Sequence, residues 1–246
     1  MRFSVYKEAK ISLSVLAFIL AFVLIFYFVS SMFISMGYKK LKKNEDVINE
    51  YCDNFYIIID PGHGGEDPGA IDNGLKEKDL NLKVALFLDS ILNSCGYSTV
   101  MTRTDDVLLY SEGQENKKKY YDLRNREEVA NKYPNSVFVS IHMNKFQLEY
   151  CKGLQVFYSE NNVLGLDLAN SIQSSATFLQ YDNNRAVKSG NENIYLLKHL
   201  KIPAVLVECG FLSNNEEAQN LKNDEYLFAL AFSIYCGIVE FKEDVK

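Results

Sequence analysis

The feature that most constrains the fold is a set of short, almost wholly apolar runs that alternate with longer amphipathic segments. The runs occupy residues 55–60, 137–141, 154–158 and 204–207. The clearest amphipathic segment, 76–95, repeats apolar side chains at the three- and four-residue spacing of a helix. Strands that are apolar throughout are typical of a sheet covered on both faces. The pattern therefore predicts a single α/β domain with a central, mostly parallel sheet flanked by helices.

The remaining elements follow from the same periodicities. Strands are predicted at 98–103 and 194–197, and helices at 123–133, 164–178 and 224–241. Ser213 and Glu216 have the spacing of a capping box, which predicts the start of a short helix. Residues 104–119 are mostly polar and without a period, and they are predicted to form an irregular, mobile flap.

The N-terminus carries an uncharged segment from Ile11 to Gly37, within which residues 15–29 are continuously apolar. A membrane-spanning helix needs about 20 residues, so the segment is long enough with some tilt. The apolar core of a cleaved signal peptide is shorter, and residues 30–37 make a poor cleavage site. The lysines on both sides of the segment give no preferred orientation. The sequence thus divides into three predicted parts, an uncleaved signal anchor at 1–37, a juxtamembrane stalk at 38–54 and a folded domain at 55–246.

Charge and cysteine content argue against nucleic acid as the main partner and against cysteine-based stabilisation of the fold. The formal net charge is −6, whereas a nucleic-acid-binding protein normally carries a basic footprint. The five cysteines are odd in number and form no CxxC pair. A cysteine-based metal site and a disulfide framework are therefore both disfavoured.

Two of the three histidines follow predicted strands closely. His63 comes after the first strand through a Pro-Gly turn and precedes a pair of glycines, and His142 comes directly after the strand at 137–141. Because parallel strands end at one edge of their sheet, both imidazoles are expected at that edge. His199 has a polar context and is interpreted as a surface residue. Two histidines and a glutamate are an established ligand set for catalytic zinc, so the sequence predicts a metal site.

The third ligand is left open by spacing alone. Glu77 begins the helix that follows the His63 loop, so its carboxylate can turn back toward the same edge of the sheet. Glu66, Asp67 and Asp79 compete with it. A carboxylate in the first turn of a helix is also stabilised by the helix dipole, whatever its function.

Glu208 ends a strand of alanine, valine and leucine, where an acid is costly unless it has a partner or a task. Burial there would raise the pKa of Glu208 and suit it to act as a general acid and base. The alternative is a structural salt bridge to Arg103, Arg124 or Arg185. Strand alternation directs the neighbouring Cys209 to the opposite face of the sheet.

Five motifs follow one another between residues 55 and 240. They are DPGHGG at 60–65, GLKEKDLNL at 74–82, TR at 102–103, SIHMN at 140–144 and PAVLVECGFLSN at 203–214. In this order they resemble the zinc-dependent N-acetylmuramoyl-L-alanine amidases of the Amidase_3 type. The fold of that family, one α/β domain with a helix-flanked central sheet, agrees with the fold predicted from the patterns.

The resemblance implies a zinc ion held by His63, Glu77 and His142, with Glu208 as the catalytic acid and base. It thereby favours Glu77 among the carboxylate candidates. Further candidates for contact with the substrate are Asn144, Arg103 and Arg185. The chain departs from the family at Met143, where a small residue is usual, and at Lys145.

The implied activity is hydrolysis of the amide bond between N-acetylmuramic acid and L-alanine in peptidoglycan. The layout of one anchor and one domain resembles the germination-specific spore-cortex amidases. These remove stem peptides so that muramic-δ-lactam can form, and some need a lipoprotein partner. The resemblance also implies an extracytoplasmic place in the cell envelope, membrane-anchored or secreted. Two alternatives are another zinc peptidoglycan amide hydrolase, such as a carboxypeptidase, and a non-catalytic, membrane-tethered regulator that binds glycan.

Overall fold

The computed structural model describes residues 24, 27, 28, 30–32, 35, 55–190 and 192–245. The described residues before 36 are helical, and those from 55 onward form a separate structural unit. The strands of this unit are β1 (Tyr56–Pro61), β2 (Ile71–Asp72), β3 (Leu75–Lys76), β4 (Ser98–Met101), β5 (Ser136–Asn144), β6 (Gln155–Tyr158), β7 (Lys188–Ser189) and β8 (Ala204–Phe211). The α-helices are α1 (Glu77–Ser94), α2 (Lys118–Asn131), α3 (Gly165–Ser175), α4 (Tyr195–His199), α5 (Asn215–Asn220) and α6 (Asp224–Asp244), and 3₁₀ turns lie at Glu115–Lys117 and Ala176–Phe178.

Within the described residues, six strands form one sheet in the order β4-β1-β5-β8-β6-β7. The first four of these are mutually parallel, whereas β6 is antiparallel to β8 and β7 is parallel to β6. The predicted α/β domain with a helix-flanked sheet is confirmed, and the sheet is mixed. One consequence concerns the site: the edge at which β1, β5 and β8 end is also the edge at which β6 and β7 begin.

The two faces of the sheet carry cores of different size. On β5, Val139 and Ile141 pack into the larger core, against side chains of α1, α3 and α6. Phe138 packs into the smaller core on the opposite face, together with side chains of α2 and α4. Because side chains alternate along a strand, His142 lies on the same face as Phe138. Glu208 follows Leu206 in the same way on β8, so the predicted site residues share the less covered face.

Helices α3 and α6 pack closely on the larger core because Gly237 removes a side chain from their contact. A Cβ added at Gly237 would lie 2.5 Å from the Cα of Ile172 and 2.8 Å from the carbonyl oxygen of Ser171. Those atoms belong to backbone and cannot move aside cheaply. The glycine therefore sets the separation of the two helices.

Three local features differ from the sequence predictions. Residues 194–197 were predicted as a strand but begin helix α4, in which the amide of Lys198 donates to the carbonyl of Ile194 at 3.0 Å. A short apolar run has no period that distinguishes a strand from a buried helical turn. Asn214, instead of Ser213, caps α5, and its Oδ1 accepts from the amide of Glu217 at 3.0 Å. The predicted loop after β1 also contains the small β2–β3 hairpin.

The segment predicted as a flap is irregular until Glu115, and it is tied to the domain at several points. The carboxylate of Asp106 accepts from the amide of Gly65 at 2.7 Å and from Lys78 Nζ at 2.5 Å. The amide of Leu109 donates to Asp122 Oδ1 at 2.8 Å. The flap is therefore anchored over the loop that carries His63.

The predicted signal anchor at 1–37 falls mostly outside the described residues, and the stalk at 38–54 does so entirely. Over the part of the chain that the structure describes, no helix has both the length and the apolar character needed to cross a bilayer.

Candidate metal centre and acid

His63 lies just beyond β1 in a backbone conformation that few residues other than glycine adopt, with φ at 61°. The conformation is held from both sides. The carbonyl of His63 accepts from Arg126 Nη2 at 2.8 Å, and the amides of Gly64 and Asp67 donate to each other's carbonyls at 3.1 and 3.0 Å. Gly62 is required because a Cβ there would lie 2.2 Å from the ring of His142. The loop thus brings the two imidazoles together, with ring centroids 5.0 Å apart.

Glu77 is the first residue of α1, and the β2–β3 hairpin turns it back toward the end of β1. Its Oε1 lies 2.8 Å from His142 Nδ1 and 3.2 Å from His63 Nε2. Its Oε2 accepts from the amide of Ala70 at 2.7 Å. Close approach of the loop depends on Gly69, where a Cβ would lie 2.5 Å from Glu77 Oε2.

These three side chains form a candidate metal centre. One possible ligand atom from each of His63, Glu77 and His142 lies within 4.8 Å of the others. Among the described residues, this is the group of three histidine, cysteine or acidic side chains that is close enough to hold a metal ion. Burial alone would raise the pKa of Glu77, but hydrogen bonds and charge from His142 and His63 outweigh it and hold that pKa well below its usual range. The carboxylate is therefore ionised and directed at two imidazole nitrogens, a donor set that fits zinc.

Asp67 orients His63, a role that the sequence did not reveal. Its Oδ2 lies 2.8 Å from His63 Nδ1, and its Oδ1 accepts from the amide of Gly69 at 3.1 Å. The hydrogen bond at Nδ1 leaves Nε2 of the imidazole free to face Glu77. Carboxylates in this position fix the tautomer and direction of metal-binding histidines. The other two competitors for the ligand role lie outside this arrangement: Glu66 bonds to Lys118 and Tyr110, and Asp79 is exposed.

A buried ionic network supports the loop from below. Asp60 Oδ1 lies 2.6 Å from Arg126 Nη1, and Asp122 Oδ2 lies 2.9 Å from Arg126 Nε. Burial would raise the pKa of Asp60, yet the charge of Arg126 and hydrogen bonds from Ser140 and Thr102 hold it below its ordinary value. The position of Asp60 at the end of a buried strand could have indicated its role, whereas the sequence placed Arg126 only within the predicted helix at 123–133.

Glu208 lies on β8 directly beside His142, its register partner on β5. Burial raises the pKa of Glu208 to about 7, and the nearby charge of Glu77 adds to this effect against His142, His63 and Arg185. Its Oε2 is fully shielded and has no hydrogen-bond partner among the described residues. The predicted direction of Cys209 away from Glu208 is confirmed, since its side chain packs in the larger core. A shielded, unpartnered carboxyl beside a metal centre is suited to accept and return a proton.

The arginines offered as structural partners of Glu208 make other contacts. Arg103 is 3% exposed, and its guanidinium donates to the carbonyls of Pro61 at 2.9 Å and of Gly62 at 3.0 Å. This placement favours a role in holding the His63 loop over the predicted contact with substrate. Arg124 bonds to Tyr120 Oη at 3.4 Å and lies on the outer face of α2. Arg185 bonds to the side chain of Gln155.

The remaining predicted residues flank the centre. Asn144 ends β5, and its carbonyl accepts from the amide of Leu212 at 2.8 Å. Met143 is 2% exposed and packs in the larger core, so its bulk points away from the metal ligands. Lys145 Nζ donates to the carbonyl of Ile71 at 2.8 Å and pairs with Asp72 at 3.0 Å. The two departures from the family pattern therefore leave the ligand set undisturbed.

A cleft of about 250 Å³ runs from the metal centre along the less covered face. Its polar end is formed by His63, His142 and Asp67, and its apolar end by Leu123 and Leu197. A substrate can therefore reach the metal centre from this face.

Comparison with known proteins shows which proteins this chain is similar to. The family model for N-acetylmuramoyl-L-alanine amidase matches residues 57–240. The chain is 35% identical over 187 residues to the germination-specific N-acetylmuramoyl-L-alanine amidase of Bacillus subtilis, covering 75% of this chain and 78% of that one. It is 33% identical to the sporulation-specific N-acetylmuramoyl-L-alanine amidase of the same organism, over 71% of this chain and 63% of that one.

A solved structure is similar as well. The CwlD amidase from Clostridioides difficile, in complex with the GerS lipoprotein, superposes with a TM-score of 0.72 at 38% identity. The match covers 77% of this chain and 98% of that chain.

Proposed function

This chain belongs to the N-acetylmuramoyl-L-alanine amidase family and is an enzyme of that activity, and we propose that it acts through a zinc ion held by His63, Glu77 and His142. The observation that carries the proposal is the convergence of these three ligand atoms within 4.8 Å, beside an unpartnered acid. When bound there, zinc supplies polarisation of the scissile carbonyl and a more acidic water. The bond cleaved joins the lactyl carbonyl of N-acetylmuramic acid to the amine of L-alanine.

Glu208 moves the proton in this reaction. Its shielded Oε2 accepts a proton from the attacking water and then returns it to the leaving L-alanine nitrogen. Asp67 holds His63 in the required direction, and Arg126 holds the backbone of the loop. The chain's own residues thus divide into ligands, a proton carrier and supports.

The variant Glu208→Gln tests the proton role. It keeps the shape of the side chain, so zinc content should equal that of the wild type while hydrolysis falls about 10²- to 10⁴-fold. Glu216→Gln, an exposed carboxylate on α5, is the matched control and should keep full activity. Full hydrolysis by Glu208→Gln would show that another group moves the proton. For the metal, His63→Ala should lower zinc content, and equal content in variant and wild type would remove His63 from the ligand set.

The place of action is proposed to be the spore cortex, where release of stem peptides leads toward muramic-δ-lactam. The similarity to amidases named for germination and sporulation supports this role. Mass spectrometry of muropeptides is the test: the amidase leaves stem peptides with a free L-alanine amine and sugars without peptide. Shortened peptides still attached to muramic acid would instead identify the carboxypeptidase alternative. Muropeptides that stay unchanged even with a co-expressed lipoprotein would identify a non-catalytic regulator.

A lipoprotein partner and a membrane anchor complete the proposal. The similar CwlD amidase was solved in complex with a lipoprotein, which supports a partner of that class for this chain. The uncharged segment between Ile11 and Gly37 supports anchoring in a membrane. The similarity to amidases named for germination and sporulation supports an extracytoplasmic position of the domain. Muropeptide assays with and without a co-expressed lipoprotein test the partner. Cell fractionation of the full chain and of a form starting at residue 38 tests the membrane anchor.

A further inference from the structure

Arg185 lies at the active edge of the sheet although it is distant in sequence from the other site residues. It precedes β7, and β6 and β7 begin at the edge where β5 and β8 end. Gln155 is the register partner of Glu208, and Arg185 Nη2 donates to Gln155 Oε1 at 2.5 Å. The side chain of Gln155 therefore links the guanidinium to the neighbourhood of Glu208, the proposed proton carrier.

The guanidinium of Arg185 is held in place and forms no ion pair with another described residue, although its charge acts on the nearby carboxyls of Glu208 and Glu217. Its Cζ lies 4.9 Å from the centre of the Phe211 ring, a cation–π contact that helps to hold the group. Its Nε is shielded from solvent and has no hydrogen-bond partner among the described residues. By contrast, Arg126 pairs with two carboxylates and Arg124 pairs with Glu128. The shielded Nε cannot meet a ligand in solvent, so a ligand would meet the Nη atoms at the end of the guanidinium. A partly buried cation without an ion-pair partner is stabilised when an anion binds to it.

A cavity of about 370 Å³ adjoins this guanidinium. Its walls include Tyr150, Gly153, Asn183 and Arg185, with Glu217 at one side. The carboxylate of Glu217 is committed elsewhere, because it accepts from the amide of Phe211 at 2.7 Å and of Gly153 at 3.0 Å. Lys152 also lines the cavity but is paired with Asp182 at 2.5 Å. Among the described residues of its walls, Arg185 is therefore the cation without an ion-pair partner, and the cavity has room for a ligand beside it.

The direction of the substrate follows from the proposed function, on which this inference rests. The leaving L-alanine nitrogen must approach Glu208 to receive its proton, which places the start of the stem peptide beside Glu208 and its neighbour Gln155, the side chain that Arg185 contacts. We propose that Arg185 binds the α-carboxylate of the second residue of the stem peptide, the carboxylate nearest to the scissile bond. A guanidinium recognises a carboxylate through paired, charge-assisted hydrogen bonds. Arg185 is thus a specificity-determining residue for an acidic second residue.

The test uses two N-acetylmuramoyl tripeptides of sequence L-alanine, γ-linked D-glutamate and C-terminally amidated L-lysine, which differ only in whether the glutamate α-carboxylate is free or amidated. Binding is measured by calorimetry on the full-length, zinc-loaded Glu208→Gln chain, and hydrolysis on chains with Glu208 intact. Arg185→Gln should lose about 10- to 100-fold in affinity and in kcat/KM for the free acid, and little for the amide. Arg185→Lys should lose less, and the exposed control Arg124→Gln should match its parent on both peptides.

Each outcome decides one of the two proposals. Equal losses on both peptides, no loss, or a parent chain without preference for the free acid would overturn the subsite. Should Arg185→Gln fail to fold, the parent's preference and its change in Arg185→Lys still decide the matter. A chain that binds the acid selectively but hydrolyses neither peptide, with the co-expressed lipoprotein present as well as without it, would overturn the proposed function while supporting the subsite.

Discussion

Removal of the Asp67 carboxylate should weaken zinc binding without changing any proposed ligand. Asp67 Oδ2 lies 2.8 Å from His63 Nδ1, and Oδ1 is fixed by the amide of Gly69 at 3.1 Å. In Asp67→Ala the imidazole loses the acceptor that sets its tautomer and direction. His63 must then find the zinc-binding orientation among several.

The size of the effect follows from the kind of contact that is lost. Removal of such a supporting carboxylate costs about 10- to 100-fold in metal affinity. At about 1.4 kcal/mol for each tenfold, this corresponds to about 1.4 to 2.8 kcal/mol. The Asp67 side chain is 27% exposed and lies 3.9 Å from Lys119 Nζ, so water and that charge screen it and favour the lower part of the range. Asp67→Asn keeps an acceptor oxygen but loses its charge, and it should lose less affinity than Asp67→Ala.

Competition with a chromophoric zinc chelator measures the affinity directly, without dependence on turnover. The matched control is Glu66→Ala, since Glu66 is the adjacent acid of the same loop and bonds to Lys118 and Tyr110 instead of His63. It should bind zinc as the wild type does. Zinc affinity of Asp67→Ala within about twofold of the wild type would refute the orienting role, because even the low end of the range is about tenfold.

Three further outcomes are expected. Because the pKa of Asp60 is lower in the folded than in the unfolded chain, its contribution to stability is complete above the unfolded pKa of about 3.9 and is lost as pH falls through the folded pKa. In urea unfolding with chelator present, the free energy of unfolding should therefore fall less between pH 7 and pH 3 in Asp60→Asn than in the wild type, and equal falls would contradict this. Gly69→Ala should bind zinc more weakly in the chelator assay, since φ is +64° there and the new Cβ would lie 2.5 Å from Glu77 Oε2; unchanged affinity would mean that the loop shifts freely. Gly237→Ala should lower the free energy of unfolding by about 1 to 3 kcal/mol through overpacking against Ile172, and an unchanged urea midpoint would show that α3 and α6 can separate without cost.

Local pattern predicted most of the fold. The strands at β1, β5 and β8 were identified from apolar runs, and α1 from its period, because burial on a sheet and along one helix face selects residues at regular intervals. The strand prediction for residues 194–197 was wrong because the run is too short to show a helical or strand period. In the structure these residues begin a helix that packs in the smaller core. The direction of β6 was likewise not encoded locally.

The ligand set was partly readable. His63 and His142 could be predicted because His63 follows β1 and His142 lies near the end of β5, and parallel strands end together. The predicted strand at 137–141 stopped short of His142, whereas β5 continues to Asn144. Glu77 could not be separated from Asp67 by spacing, since both belong to the same loop and helix start. The fold separates them: Glu77 Oε1 lies between the two imidazoles, while Asp67 binds the far nitrogen of His63.

The sequence by itself determined which residues lie at or near strand ends. It thereby determined that two imidazoles and a carboxyl come together at one edge of the sheet. Only the tertiary structure decided which groups support that chemistry. Arg126 reaches Asp60 and His63 from a helix far along the chain, and Arg185 reaches the side of Glu208 because β6 and β7 begin where β8 ends. The physical reason is that periodicity reports burial within one element, whereas a polar partner is chosen by distance between elements, which exists only once the chain has folded.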